Sequence, residues 1–209
     1  MGLEGRQIPM FPLGAVLLPH GLLPLHIFEP RYQQLLNHAL EGDNTFGVVL
    51  IARGSEVGGG EARTAVGTLA RIQEHRRFDD GRAAVLTVGT HRIEVLEWLP
   101  DDPYPRARVA DIIDPDESPG DAELLSNARA ALESLLVAAV QAGRLDRVPE
   151  VEWAAGTNEA IWQLAGLAPI GQLDRQDVLV EVEPTRRIER LAALIDDLHN
   201  DLRLLGDLD

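Results

Sequence analysis

The stretch FPLGAVLLPHGLLPLHIFEPRY, residues 11–32, decides how this chain is read. Short apolar, strand-like pieces (residues 15–18, 22–23 and 25–28) are cut by Pro12, Pro19, Gly21 and Pro24, and a Glu-Pro-Arg step follows. Proline cannot donate to a sheet ladder and so punctuates strands, which describes a chain turning several corners while its apolar side chains stay buried. Pro30 suits the first position of a helix, where a missing N–H costs nothing, and Glu29 stands beside the positive end of the helix dipole. Tyr32, Leu35, Leu36, Ala39 and Leu40 then recur at helical spacing, with Gly42 where a left-handed cap is wanted. The spacing predicts a helix over about residues 30–41, packed on the strands before it.

Outward from this stretch the chain alternates, then changes period. A first strand is expected near residues 7–10, and the continuous apolar run FGVVLIA, residues 46–52, reads as a strand buried on both faces. Residues 54–62, GSEVGGGEA, hold four glycines in nine positions and read as a mobile loop. Residues 64–88 read as a hairpin turning at Asp79-Asp80-Gly81, followed by a strand in HRIEVLEWL with Ile93, Val95 and Leu96 facing in. A strand over residues 106–113 puts Val109 and Ile112 in the core. The acidic, proline-containing run DPDESPGD then marks a linker, and beyond it the apolar period becomes helical. Helices are expected over residues 120–142, from a Thr157 cap to Leu167, from an Asp174 cap over 175–181, and over 184–205. The last carries Ile188, Leu191, Ile195, Leu198, Leu202 and Leu205 as a heptad seam, read as bundle packing within the chain rather than a coiled-coil dimer. The expected domains are a β-rich unit over residues 1–113, a linker over 114–120 and a helical unit over 121–209.

Composition narrows the chemistry. With 209 residues and 45% hydrophobic content the chain can bury a sizeable core. The formal net charge is −15, and all 19 basic residues are arginine. Such an excess of acid disfavours a nucleic-acid backbone, which needs clustered cations to release counterions. No cysteine is present, which removes disulfides, thiolate metal sites and a cysteine nucleophile and suits a cytoplasmic setting. No secretory signal is expected, because the apolar start is broken by Pro and Gly, and no run is long enough to span a membrane.

The opening stretch resembles the Lon protease N-terminal (substrate-binding) domain family. The matching residues are Phe11, Pro12, Leu13, Pro19, Pro24, Leu25, Ile27, Phe28, Glu29, Arg31 and Tyr32, and Pro30 fills the variable place of a Phe-Glu-x-Arg-Tyr pattern. Val66 to Ala70 (VGTLA), Asp80-Gly81 and Gly89 to Ile93 (GTHRI) are similar to the family's later strands and turn. The resemblance implies an α+β fold: a PUA-like twisted, mostly antiparallel β-sheet or pseudo-barrel domain followed by a C-terminal helical bundle. It also implies a stand-alone member without the ATPase and peptidase parts. The absence of lysine agrees, since neither a Walker A loop nor a Ser-Lys peptidase dyad can be made without one.

Other catalysis finds little support. Ser55, Ser118, Ser126 and Ser134 sit in no nucleophile elbow, and the six histidines lack metal-ligand spacing. No catalytic residue, metal or cofactor is expected. The candidate peptide-contact or structural polar residues are Glu29, Arg31, Tyr32, His20 and His26. Glu29 is read as accepting backbone N–H groups and Arg31 as tying strands together, with a polar rim for a client peptide as the alternative. Phe28 and Tyr32 read as core, and His20 and His26 as hydrogen-bonded structural histidines, with convergence as the alternative. The resemblance implies a non-enzymatic module that binds unfolded or tagged protein segments and hands them to a protease, as a monomer or weak dimer without membrane contact. The alternatives are an RNA binder using Arg71, Arg76, Arg77 and Arg82, or a small-molecule enzyme with a site between the two units.

Overall fold

The computed structural model describes residues 5–52 and 62–206. Two compact units divide it, Met1–Ile113 and Asp114–Asp209. The first holds β1 (Arg6–Leu13), β2 (Leu22–Ile27), α1 (Pro30–Glu41), β3 (Thr45–Ala52), β4 (Ala62–Arg77), β5 (Ala83–Leu99) and β6 (Arg106–Ile112). The second holds α2 (Asp121–Gln141), α3 (Thr157–Leu167), α4 (Gln172–Val180) and α5 (Pro184–Gly206). The chain is therefore α+β, a β unit and then helices.

The six-stranded sheet runs β2-β5-β4-β3-β1-β6, and β5 also pairs with β6. That extra pairing closes β5, β4, β3, β1 and β6 into a barrel and leaves β2 as the terminal strand. All pairings are antiparallel except β1 with β3. One strand, β5, serves two neighbours along one side: Ala83 to Val88 pair with β2, and Arg92 to Leu99 pair with β6.

Alternation sorts the side chains into two cores. Ile8, Met10, Val49, Leu69, Ile93, Ala107 and Val109 come from all of the barrel strands and fill its interior. Their neighbours Phe11, Phe46, Val48, Ala70 and Ile72 face outward and are covered by Tyr32, Leu35, Leu36 and Ala39 of α1. This is why residues 46–52 read as a run without alternation: β3 has the barrel on one side and a helix on the other. The same period of two explains why Leu96 is exposed rather than inward, since a bulge between Val95 and Glu97 shifts the pleat there.

Several local expectations change. Residues 15–18 form no strand. They belong to a loop over residues 14–21 that carries the chain across the end of the barrel to β2. Pro24 lies within β2, which continues through it. A proline fits there because β2 is the terminal strand of the sheet and pairs on one side only. The strand after the hairpin is not separate, because β5 runs unbroken through Gly89. Gly42 is not left-handed; Asn44 is, at φ 61°, with its N–H bonded to the Ala39 carbonyl. Residues 54–61 of the glycine-rich run lie outside the described residues, and Ala62 opens β4.

In the helical unit α5 packs along α2, and Ile188, Leu191 and Ile195 of its apolar seam are buried. The expected caps move by a few residues: Gly156 and Gly171 precede α3 and α4, while Thr157 is already helical and Asp174 lies in the first turn of α4. The acidic run after β6 is fastened to the helices. Asp114 pairs with the fully buried Arg187 at 2.9 Å, and the buried Asp121 accepts from the Thr185 hydroxyl at 2.6 Å and the Ser118 N–H at 2.7 Å.

Two expectations follow for stability. A Cβ at Gly89 would collide with the Leu18 carbonyl, whereas one at Gly14 meets nothing within 4 Å. Denaturant titration of Gly89→Val should show a loss of about 2–3 kcal/mol, and of Gly14→Ala a change within about 0.5 kcal/mol. Asp111 accepts from His91 Nε2 at 2.9 Å and Arg6 Nη2 at 3.0 Å. Burial alone would raise its pKa, but these two hydrogen bonds outweigh burial and hold it below the ordinary carboxylate range. A depressed folded pKa gives stability that is complete above the unfolded value of about 3.9 and is lost as pH falls through the folded one. Because the carboxylate is 47% exposed, Asp111→Asn should flatten the acid limb of the stability profile by less than about 1 kcal/mol.

Candidate functional site

The opening stretch folds into the walls of a groove. The end of β1 (Phe11 to Gly14) forms one side, Pro24 to Ile27 of β2 form the other, and the Phe28-Glu29-Arg31-Tyr32 corner closes one end, around a volume of about 380 Å³. Ile51 of β3 contributes to the same lining. Proline is what makes these walls possible: it bends the chain out of one strand and fixes its approach to the next element.

The floor is aromatic. Phe11 and Tyr32 stack with ring centroids 4.1 Å apart, and Phe46 lies 5.9 Å from Phe11 on the core side. Tyr32 is buried, as a core residue should be. Phe28 is not, with 64% of its surface exposed, because the chain reverses into α1 at this point and leaves the side chain outside. The sequence reading of Phe28 as core is thus corrected: it forms an apolar lip on the groove.

The charged pair at the corner also differs from expectation. Glu29 makes no side-chain cap to the helix, and its carboxylate accepts from Arg31 Nε at 2.9 Å. Arg31 does not tie strands together; its guanidinium lies 4.6 Å above the Tyr32 ring. Burial works against the Arg31 charge, but Tyr32 and Glu29 outweigh it and leave the pKa raised. The pair is half-exposed on the groove wall, where both charges can reach a ligand. The Phe28 carbonyl accepts from Gln33 Nε2, which fixes the backbone under the lip.

His26 is exposed on β2, with its ring edge toward Phe78 at 6.1 Å, and lines the groove. His20 stands in the loop at φ 60°, with its N–H bonded to the Gly89 carbonyl. Since His26 sits opposite Ala84 and His20 opposite Gly89, they are separated by about 17 Å of strand and do not converge. Of the sequence candidates, therefore, Glu29, Arg31, Tyr32 and His26 share one groove and His20 does not. Phe11 and the exposed position of Phe28 were not singled out from the sequence, because strand and corner residues of one composition can face either way.

The arginines of the hairpin are exposed but largely engaged nearby. Arg82 pairs with Asp80 at 2.7 Å, Arg77 donates to Asn37, and Arg76 lies 5.5 Å from the Phe78 ring. Among the described residues no cluster of three or more His, Asp or Glu side chains could hold a metal ion, and no helix is long and apolar enough to cross a membrane.

Comparison with known proteins places this geometry. The model of the ATP-dependent protease La (LON) substrate-binding domain matches residues 7–197. Lon protease 2 of Herpetosiphon aurantiacus is 26% identical over 90% of this chain, which spans 23% of that protein's length. Lon protease of Anaeromyxobacter dehalogenans is 30% identical over 51% of the chain and 13% of its own length. The crystal structure of a Lon N-terminal domain protein from Xanthomonas campestris superposes with a TM-score of 0.64 at 28% identity, covering 90% of this chain and 98% of that one. The N-terminal domain of Mycobacterium avium complex Lon protease shares the fold, with a TM-score of 0.66 over 92% of this chain at 15% identity. A barrel closed through a shared β5, a proline-bent opening stretch capped by α1 and a helical second unit therefore belong to a member of the Lon protease substrate-binding domain family.

Proposed function

We propose that this chain acts by binding alone, taking extended segments of unfolded or tagged proteins into the groove between β1, β2 and α1 and delivering them to a protease. The observation that carries the reading is the exposed Phe28 beside a stacked aromatic floor and a half-exposed Glu29–Arg31 pair. With Leu13, Pro24 and Leu25 of the same lining, Phe28 offers an apolar face that a partner's side chains can cover. An aromatic anchor with a charged rim is the usual composition of a protein-binding hot spot.

The sheet adds a second means of attachment. β2 is the terminal strand and Leu22 on it is 67% exposed, so a peptide laid beside β2 can continue the ladder while burying alternate side chains. Pro24 interrupts that edge, which limits the ladder to short segments and guards against pairing with another copy of the same edge. The Lon proteases that this chain resembles are far longer, and the proteolytic step belongs to them; for this chain the proposal ends at capture and delivery.

Two variants separate capture from folding. Phe28→Asp should leave unfolding stability within about 0.5 kcal/mol and lower affinity for a reduced, unfolded protein by about tenfold in fluorescence anisotropy. Tyr32→Ala, which removes half of the buried stack, should cost about 3–5 kcal/mol of stability in the same denaturant series. Unchanged binding by Phe28→Asp, or no saturable binding by the parent chain, would overturn the proposal.

A further inference from the structure

All three tryptophans of the chain carry an arginine over the ring, and the pairs differ in one respect. Arg63 lies 4.4 Å from the Trp98 ring and reaches Asp101 at 3.9 Å. Arg187 lies 4.0 Å from the Trp162 ring and pairs with Asp114 at 2.9 Å. Arg129 lies 4.4 Å from the Trp153 ring and, among the described residues, has neither a carboxylate nor a hydrogen-bond partner. Its Nε is buried all the same. Partial burial pushes the Arg129 pKa down.

This guanidinium lines a cavity of about 700 Å³ within the helical unit, between α2, the segment over residues 148–153 and the end of α3. Leu132, Leu136 and Val151 supply apolar wall. The segment does not hang free, since the Ala154 N–H donates to Gln163 Oε1 at 2.8 Å and so anchors the residue after Trp153 to α3. A preformed cavity of this size, in which apolar wall stands beside Ser126 and a cation without a carboxylate partner, has the composition of a ligand site. Glu133 and Glu150 also line it, both exposed to solvent. They disfavour a phosphate or a polyacid, so that a single carboxylate is the anion Arg129 can hold against them at least cost.

We propose that this cavity is a second binding site, one that takes the C-terminal end of a polypeptide, with an apolar last residue against Leu132, Leu136 and Val151 and its carboxylate on Arg129. An apolar side chain and a carboxylate carried on one Cα are what such a chain end presents. Arginine offers the planar, two-pronged donor that a carboxylate accepts, and Trp153 holds that plane from one face. The assignment to a polypeptide, rather than to any other monocarboxylate, rests on the protein-binding reading above.

The test uses the whole chain and a fluorescein-labelled Gly/Ser peptide ending in Val-Leu, made as the free acid and as the C-terminal amide. Anisotropy should show the acid binding at least about tenfold more tightly than the amide. Arg129→Gln should abolish that ratio and Arg129→Lys should keep part of it. Equal affinity of acid and amide on the parent protein, or no saturation of the acid by ~1 mM, overturns the proposal whatever the variants do. Competition by N-acetyl-leucine as effective as unlabelled peptide overturns the chain-end assignment. The Phe28→Asp protein separates the two sites: a retained acid preference there supports the second site even where capture of unfolded protein is lost. Unfolded protein bound without any acid preference sinks the second site alone.

Discussion

The β unit depends on a backbone-to-backbone seat at Gly89. There β5 changes partner from β2 to β6, and the loop between β1 and β2 is laid across the junction. The His20 N–H donates to the Gly89 carbonyl at 2.8 Å, the Gly89 N–H donates to the Gly21 carbonyl at 2.9 Å, and the Thr68 hydroxyl donates to the Leu17 carbonyl. Only a residue without a side chain lets the Leu18 carbonyl come so close. Since the loop lies on the barrel at this point, β2 begins in register beside Val88, the chain reverses at Phe28, and α1 starts over the outer core. The groove is thus a consequence of how two strands share one side of a third.

Much of this could be read from the residues. The helix over residues 30–41 was legible because Pro30 and an uninterrupted apolar period specify both its start and its buried face. The strand β3, buried over its first six residues, was legible because a strand covered on both sides loses alternation. What escaped was set by tertiary pairing. Nothing local in Pro24 says that its strand lies at an edge, where proline is tolerated, and nothing local in Gly89 separates a turn from a close crossing. Phe28 illustrates the same limit at the site: an apolar residue before a helix looks like core until the direction of the corner is known. The caps of α3 and α4 moved because Gly156 and Gly171 supply the extended residue before each helix without a side-chain bond.

The lack of lysine also has structural weight. A guanidinium is flat, weakly hydrated and always charged, so it can lie on an aromatic face while its edges reach carboxylates or carbonyls. Arg187 does this fully buried, donating to Asp114 and to the Glu181 carbonyl at 2.8 Å while covering Trp162. The start of the helical unit is thereby tied to the first turn of α5. An ammonium at that position would keep the charge and lose the plane. In a chain with a net charge of −15, Arg63, Arg129 and Arg187 among the described residues are each laid on a tryptophan in this way.

The last stitch of the barrel joins its first strand to its final one, with Arg6 opposite Val109 and Pro9 opposite Arg106. On a ribosome this means that β1 waits for about a hundred residues before its outer partner exists, and a loop of that length is slow to close. During the wait β1 has only the parallel pairing to β3 and the cover of α1 to hold it. The hairpin of β4 and β5, by contrast, pairs two arms that are adjacent in the chain. The proline-rich beginning of the chain is the part most in need of protection until synthesis passes β6.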